Sequence, residues 1–86
     1  MTPRKLTENF VETEIDDETL IVDMDGGLLF SLSGTGRAVW QAIDGQRDSG
    51  AIAIRMAEAF SGEHETIVSD VRALLGDFAR ARLVTL

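Results

Sequence analysis

Few residues of this sequence are suited to chemistry. The one histidine, His64, could act as a metal ligand or a general base, and it lies between Glu63 and Glu65. A metal site or a catalytic pair needs further ligands or a nucleophile beside it. The sequence has no cysteine, no second histidine and no Gly-x-Ser-x-Gly motif. We therefore interpret His64 as a solvated residue at a helix start, and we expect no enzymatic activity, no metal and no other cofactor.

Two short motifs resemble parts of ligand-binding loops. Residues 34–36, Gly-Thr-Gly, suggest a phosphate loop, but the third glycine and the P-loop lysine are missing. Residues 23–26, Asp-Met-Asp-Gly, suggest a calcium loop, but the acid that would complete it falls around Gly34. We interpret the first motif as a helix start and the second as a hairpin turn.

The length and the charge limit the class of protein. Eighty-six residues make one domain. The net charge is −7, and residues 1–35 hold eight acids against Arg4 and Lys5. This potential opposes binding to DNA, RNA or an anionic membrane. No apolar run is long enough to span a bilayer, and no signal peptide is recognisable, so we expect a cytoplasmic protein.

The first third of the chain predicts three strands. Residues 10–15, 19–24 and 27–32 are rich in β-branched and other apolar residues. Asp16 to Glu18 predicts the first turn. Asp25-Gly26 predicts a two-residue hairpin turn, in which both central positions need a positive φ. Short turns between consecutive strands predict an antiparallel meander.

The remainder predicts three helices. Ser33 is placed to cap the first helix, in which we expect Trp40 to be a core anchor. Asp48 or Ser49 can cap the second helix. The third helix is predicted from about residue 64 to residue 81. Its apolar residues recur at helical spacing: Ile67, Val71, Leu74 and Phe78.

The order of elements is therefore βββααα, an α+β fold in which a three-stranded antiparallel meander precedes a three-helix bundle. The two helices around Ser61-Gly62 resemble a helix-turn-helix, so the architecture is winged-helix-like. We expect residues 1–8 to be a flexible N-terminus and residues 9–86 to form the single domain. Residues 83–86 form an apolar, strand-like tail.

The third predicted strand has an unusual edge. Glu12 and Glu14 blunt the first strand, whereas residues 26–36 contain no charge and no proline. An edge of this kind is covered by the rest of the chain, pairs with a second copy, or accepts a strand from a partner. The sequence leaves these alternatives open.

Several motifs in order resemble one known family. Residues 32–40, Leu-Ser-Gly-Thr-Gly-Arg-Ala-Val-Trp, resemble the signature Leu-Asn-x-x-Gly-x-x-Ile-Trp of the PqqD-like family. Residues 44–47 match its Asp-Gly-x-Arg turn, and residues 52–60 and 70–84 resemble its helix and C-terminal patterns. The resemblance covers about residues 11–84.

The resemblance implies a domain that binds the N-terminal leader of a ribosomally made precursor peptide. In this family the leader adds a strand between the third strand and the third helix, and the core peptide is delivered to a modifying enzyme. Here that enzyme would be a separate protease, cyclase or radical enzyme of a lasso-peptide or quinone-cofactor type pathway. Ser33 replaces the usual asparagine, and Arg82 stands at a position where the family has glycine.

The implied groove lies between the third strand and the third helix, and either face of each element could line it. Phe30 could instead be a core residue, and Arg72 could be a solvated residue or could meet an acidic leader residue. We expect the chain to be a monomer or a weak dimer that binds no nucleic acid and no membrane. The peptide-binding residues predicted are Leu28, Leu29, Phe30 and Ser31 on the strand and Val68, Val71, Arg72 and Leu75 on the helix.

A DNA-binding winged helix-turn-helix regulator is the alternative function. The third helix would read the DNA, yet Glu63 and Glu65 at its start would face phosphates.

Overall fold

The computed structural model describes all residues from Met1 to Leu86 and confirms the α+β fold, with an additional pair of short strands at the two ends of the chain. The main sheet has the strand order β2-β3-β4 and is antiparallel throughout. The elements in chain order are β1 (Arg4–Lys5), a 3-10 turn (Thr7–Asn9), β2 (Phe10–Ile15), β3 (Glu18–Asp23), β4 (Leu29–Leu32), α1 (Gly34–Ala42), α2 (Ser49–Ala59), α3 (His64–Arg80) and β5 (Val84–Thr85).

The two turns of the meander differ. Ile15 pairs with Glu18, so β2 and β3 are joined by the two-residue turn Asp16-Asp17, in which Asp16 has a φ of 55°. A short polar residue tolerates this left-handed conformation better than most. The first turn is therefore the tight hairpin turn.

The predicted two-residue turn at Asp25-Gly26 is wrong. The Asp23 N–H donates to the Leu28 carbonyl at 2.9 Å, so residues 24–27 form a longer loop and β4 begins only at Leu29. Only Gly27 has a positive φ there, of 71°. The Asp23 carboxylate accepts hydrogen bonds from the N–H groups of Asp25 and Gly26, which is a local alternative to the tight hairpin turn.

The core lies between the sheet and the helices, with Trp40 at its centre. The Trp40 ring meets Phe10 and Phe78 edge to face, with centroids 5.3 Å away in each case. Edge-to-face aromatic pairs add to the free energy gained by burial. Trp40 is therefore the core anchor that the sequence predicts. The other fully enclosed side chains include Ile21, Val39, Ile52, Val71, Leu83 and Val84.

The segment expected to be a flexible N-terminus forms ordered backbone pairs in the structure. β1 pairs antiparallel with β5, and Arg4 lies opposite Thr85. Pro3 is buried, and the Leu6 N–H donates to the Leu83 carbonyl at 2.9 Å. We call β1 and β5 together the terminal sheet. The strand-like tail is thus confirmed as β5, and it pairs with β1.

The helix caps differ in one respect from their prediction. Asp48 caps α2, since its carboxylate accepts from the Ala51 N–H at 2.8 Å. Ser33 occupies the N-cap position of α1 with extended backbone angles, but its hydroxyl makes no capping hydrogen bond. Both residues therefore occupy N-cap positions, but only Asp48 makes a capping hydrogen bond with its side chain.

Replacing each cap with alanine should separate them. We expect Asp48→Ala to lower the free energy of unfolding by about 1 kcal/mol, because an N–H in the first turn of α2 loses its acceptor. Ser33→Ala should cost clearly less, since no side-chain bond is lost. Urea unfolding followed by circular dichroism measures both. Equal losses for the two variants would contradict this interpretation.

Candidate peptide-binding site

The outer edge of β4 carries unpaired backbone groups. β4 pairs with β3 on one side only. In an antiparallel pair, hydrogen-bonded and non-hydrogen-bonded residue pairs alternate. The bond from Asp23 to Leu28 starts that alternation. Leu29 and Ser31 therefore direct their N–H and C=O groups away from β3, where a further strand could bond to them.

No other part of the chain pairs with this edge. The tail forms β5, which pairs with β1 in the separate terminal sheet. The edge is also free of the features that usually block strand addition, because residues 28–32 include no charged residue and no proline. Of the three alternatives that the sequence left open, coverage of the edge by another strand of the same chain is excluded.

Apolar side chains lie beside the edge, on the inner face of the sheet. Phe30 and Leu32 of β4 are half-buried and pack on the core, as does Leu74 of α3. A β-carbon at Gly36 would be 3.9 Å from Cδ2 of both Leu32 and Leu74, so both side chains lie beside that glycine. We call this site the β4–α3 groove: its floor is Phe30, Leu32 and Leu74, and its edge is the backbone of Leu29 and Ser31.

The contacts at the ends of α3 give the direction of the groove. The N-terminal part of α3 lies near Thr35, and Ile67 and Asp70 line a cavity of about 250 Å³ with it. At the other end the Arg82 carbonyl accepts from the Asn9 side-chain amide. The Asn9 carbonyl in turn accepts from the Met24 N–H, at the start of the loop that leads to β4. α3 therefore begins near the end of β4 and finishes near its start.

The structure places the predicted strand residues on and beside this edge. The side chains of Leu28, Leu29 and Ser31 are exposed, and Phe30 points to the inner face. The Ser31 hydroxyl donates to the Glu18 carboxylate at 3.1 Å, on the outer face of the sheet. Leu29 and Ser31 therefore contribute backbone groups to the groove, and Phe30 contributes a side chain.

The predicted helix residues are placed differently. Val71 and Leu75 are buried in the core, so their side chains are not available to a peptide in this structure. Arg72 is exposed beside Met1 and Leu86, about 160° around the helix from Leu74. The structure therefore does not bring these three residues to β4.

The fourth predicted helix residue, Val68, is half-buried and lies on the same flank as Arg72. The groove residue that the sequence reasoning missed is Leu74. The apolar stripe of α3 is broad, and its periodicity does not indicate which flank faces the sheet.

The opposite edge of the sheet is closed by charged groups. On β2, the Glu12 carboxylate accepts from the Trp40 indole N–H at 2.9 Å, and Glu14 forms an ion pair with Arg37 at 2.9 Å. The Lys5 ammonium lies 4.5 Å from the centroid of the Trp40 ring. Burial lowers the pKa of Lys5, and the nearby carboxylates of Glu12 and Glu14 oppose this effect. This edge is therefore both charged and engaged with α1.

Two carboxylates link the stability of the fold to pH. A hydrogen bond from the Thr19 hydroxyl, followed by one from Arg37, lowers the pKa of Glu14. The backbone N–H groups of Arg47 and Gln46 lower the pKa of Asp44. A carboxyl with a lowered pKa in the folded state binds protons more tightly in the unfolded chain. The stability it contributes is present above the ordinary carboxyl pKa and is lost as the pH falls through the lowered value.

We therefore expect the urea midpoint to fall as the pH is lowered below about 4, the ordinary carboxyl pKa, and to fall less steeply in Glu14→Gln and Asp44→Asn. Glu58→Gln is the matched control, because its carboxylate makes no hydrogen bond in the structure. The check is a series of urea titrations at fixed ionic strength. A profile that is unchanged in both variants would show that these contacts do not contribute.

No three potential metal ligands converge in the structure. None of the helices combines the length and the apolar character that crossing a bilayer requires.

The arrangement is that of a winged-helix-like domain with one open sheet edge beside its last helix. The profile of the family described as "Coenzyme PQQ synthesis protein D (PqqD)" matches residues 18–84. The chain therefore belongs to the PqqD family, as its motifs predict.

Two solved structures share the fold. One is described as "TbiB1 in Complex with the TbiA(beta) Leader Peptide"; it is 24% identical, with 93% of each chain covered and a TM-score of 0.81. The other is described as "Lasso peptide synthetase B1 complexed with the leader peptide"; it is 14% identical, with 100% of each chain covered and a TM-score of 0.85. No curated protein sequence matches the chain.

Proposed function

We propose that this chain binds the leader of a ribosomally made precursor peptide by strand addition to β4 and presents the core peptide to a separate modifying enzyme. The observation that carries the proposal is the uncharged outer edge of β4, where Leu29 and Ser31 direct unpaired backbone groups away from the sheet. The enzyme would be a protease, cyclase or radical enzyme of a lasso-peptide or quinone-cofactor type pathway.

The comparisons support the proposal from a second direction. The chain belongs to the PqqD family, and the two solved structures that share its fold were both obtained with a leader peptide. The edge argument depends only on the topology and the charge of this chain. The two lines of support are therefore independent of each other.

The groove specifies what a bound segment should look like. An added strand would exchange hydrogen bonds with Leu29 and Ser31, and its side chains would alternate between the two faces of the sheet. Side chains on the inner face would lie over Phe30, Leu32 and Leu74, so we expect apolar residues at alternate leader positions. Those on the outer face would lie beside Leu29. This recognition needs no reacting group or cofactor in the chain.

The direct test is titration calorimetry with the leader of the precursor peptide encoded beside this chain. We expect a dissociation constant of about 0.1–10 μM, because ordering a flexible peptide offsets part of the contact free energy. A leader of the same composition in scrambled order should bind at least tenfold more weakly. Absence of binding by the natural leader would overturn the proposed function.

Charge argues against the DNA-binding alternative. The helix that would enter a groove of DNA, α3, begins beside Glu63 and Glu65, both exposed, and the chain carries a net charge of −7. A gel shift at low salt should therefore show no retardation of duplex DNA.

A further inference from the structure

A row of exposed apolar side chains crosses the outer face of the main sheet. Val11 pairs with Val22, and Val22 pairs with Leu29, so the three side chains lie next to one another across β2, β3 and β4. They are 54%, 40% and 63% exposed. Ile21 precedes Val22 and Phe30 follows Leu29 in sequence, and both point to the core instead. We call these three residues the outer row.

The apolar surface extends beyond the outer row. Leu20 and Ile15 share the same face, because their positions differ from those of the row by two or four residues along the strands. Met24 and Leu28 are exposed at the end of the sheet where the row lies. Among the strand residues of this face only Glu18 is charged. Scattered exposed apolar residues are ordinary, whereas a continuous group of this kind indicates an interaction surface.

The border of this surface is acidic and largely unpaired. Between Leu6 and Gly36 the sequence contains eight acids and no lysine or arginine. Glu12 and Glu14 belong to the inner face, and Glu14 is the only one of the eight that forms an ion pair. Asp23 also belongs to the inner face, because it pairs with Phe10. The acids left around the outer face lie at the two ends of the strands: Glu8, Asp16, Asp17, Glu18 and Asp25.

We propose that the outer row is the docking surface for the modifying enzyme, and that the enzyme meets it with an apolar patch bordered by lysine and arginine. This inference rests on the proposed function. Charge complementarity selects the occupant, because a basic border is attracted by the acidic ends of the strands. A second copy of the chain would bring two acidic borders together, which is unfavourable.

The position of the outer row relative to the β4–α3 groove also supports the modifying enzyme as the partner. Leu29 is the last member of the row, and its backbone also forms part of the β4–α3 groove. A leader added to β4 would therefore lie beside the row as a fourth strand. An enzyme docked there would be next to the bound peptide, and the core peptide would reach it at a high effective concentration.

The test uses the purified modifying enzyme encoded beside this chain and measures its affinity for the chain by calorimetry. The double variant Val11→Glu/Val22→Glu should bind the enzyme at least tenfold more weakly, and the wild-type affinity should fall as salt is added. The second variant, Val11→Thr/Val22→Thr, keeps β-branched side chains and should remain folded even if the double glutamate variant does not. It should weaken enzyme binding threefold or more. Ile54→Glu is the matched control, since Ile54 is 56% exposed but lies on α2.

The outcomes separate the two proposals. We expect all of these variants to bind the natural leader within twofold of wild type. Enzyme affinity that the row variants leave unchanged, or a wild-type chain with no affinity for the enzyme, would overturn the docking proposal alone. A concentration-dependent dimer in sedimentation that Val22→Glu abolishes would assign the row to a second copy instead. Failure of the wild-type chain to bind the leader would overturn the proposed function itself.

Discussion

Ser31→Pro should abolish leader binding, with a loss of affinity of at least 100-fold, while the domain stays folded. Proline removes the N–H that points away from β3 and places its ring where an incoming strand would lie. The ladder to β3 is kept, because the alternation of bonds turns the Ser31 N–H outward. Proline is tolerated at such positions on edge strands. The measurement is leader affinity by calorimetry, with circular dichroism to establish that the variant is folded.

Two controls isolate the backbone contribution. Ser31→Ala keeps the N–H and loses only the hydroxyl bond to Glu18, so its leader affinity should stay within threefold of wild type. The reciprocal experiment leaves the protein unchanged and uses leader peptides N-methylated at one position at a time. Alternate methylations should weaken binding tenfold or more. If the proline variant is folded and binds normally, strand addition at β4 is not the mode of binding.

Trp40→Ala should have the largest effect on stability. Trp40 is fully buried, and its ring contacts Phe10 of β2 and Phe78 of α3, so its removal separates the sheet from the helix. Truncating a buried tryptophan costs about 3–5 kcal/mol. Native proteins are stable by only about 5–15 kcal/mol in total. We therefore expect the variant to lose a large share of its stability, seen as a much lower urea midpoint when unfolding is followed by circular dichroism.

Trp40→Phe is the matched control. It keeps most of the apolar volume and loses the indole N–H that donates to Glu12 at 2.9 Å. Glu12 is exposed, so water can replace the lost donor, and we expect a loss of about 1–2 kcal/mol with the fold retained. A Trp40→Ala variant as stable as Trp40→Phe would show that the sheet and α3 do not depend on this ring.

The parts of the fold that were predictable from sequence are those governed by local pattern. The bounds of β2 follow from a run of β-forming residues and the turn after it, and the Asp48 cap follows from its place before an apolar helix. The loop before β4 was predicted incorrectly because Asp25-Gly26 favours a tight turn, whereas the Asp23 side chain satisfies the same N–H groups in a longer loop. A tight turn and a longer loop could both satisfy these N–H groups. The structure has the longer loop, in which Val22 pairs with Leu29.

The open edge of β4 was predictable from the sequence, whereas the side of α3 that faces the sheet was not. The absence of charge along β4 is visible in the sequence and identifies the open edge. The rotation of α3 about its axis depends on how Trp40 and Phe78 pack, which is a tertiary contact. Residues from Ile67 to Phe78 offer apolar side chains over a wide arc, so periodicity alone did not distinguish Leu74 from Leu75.

The terminal sheet has a consequence for the order of folding. Its register places Arg4 opposite Thr85, so forming it closes a loop of almost the entire chain. The entropic cost of closing a loop grows with the length of the loop, so contacts between the chain ends form later than local hairpins. The meander can therefore assemble before the terminal strands meet. Native-state hydrogen exchange should accordingly find that the amides of Leu6 and Thr85, which bond across the terminal sheet, exchange through local opening of this sheet. The amide of Ile21 should exchange only on global unfolding.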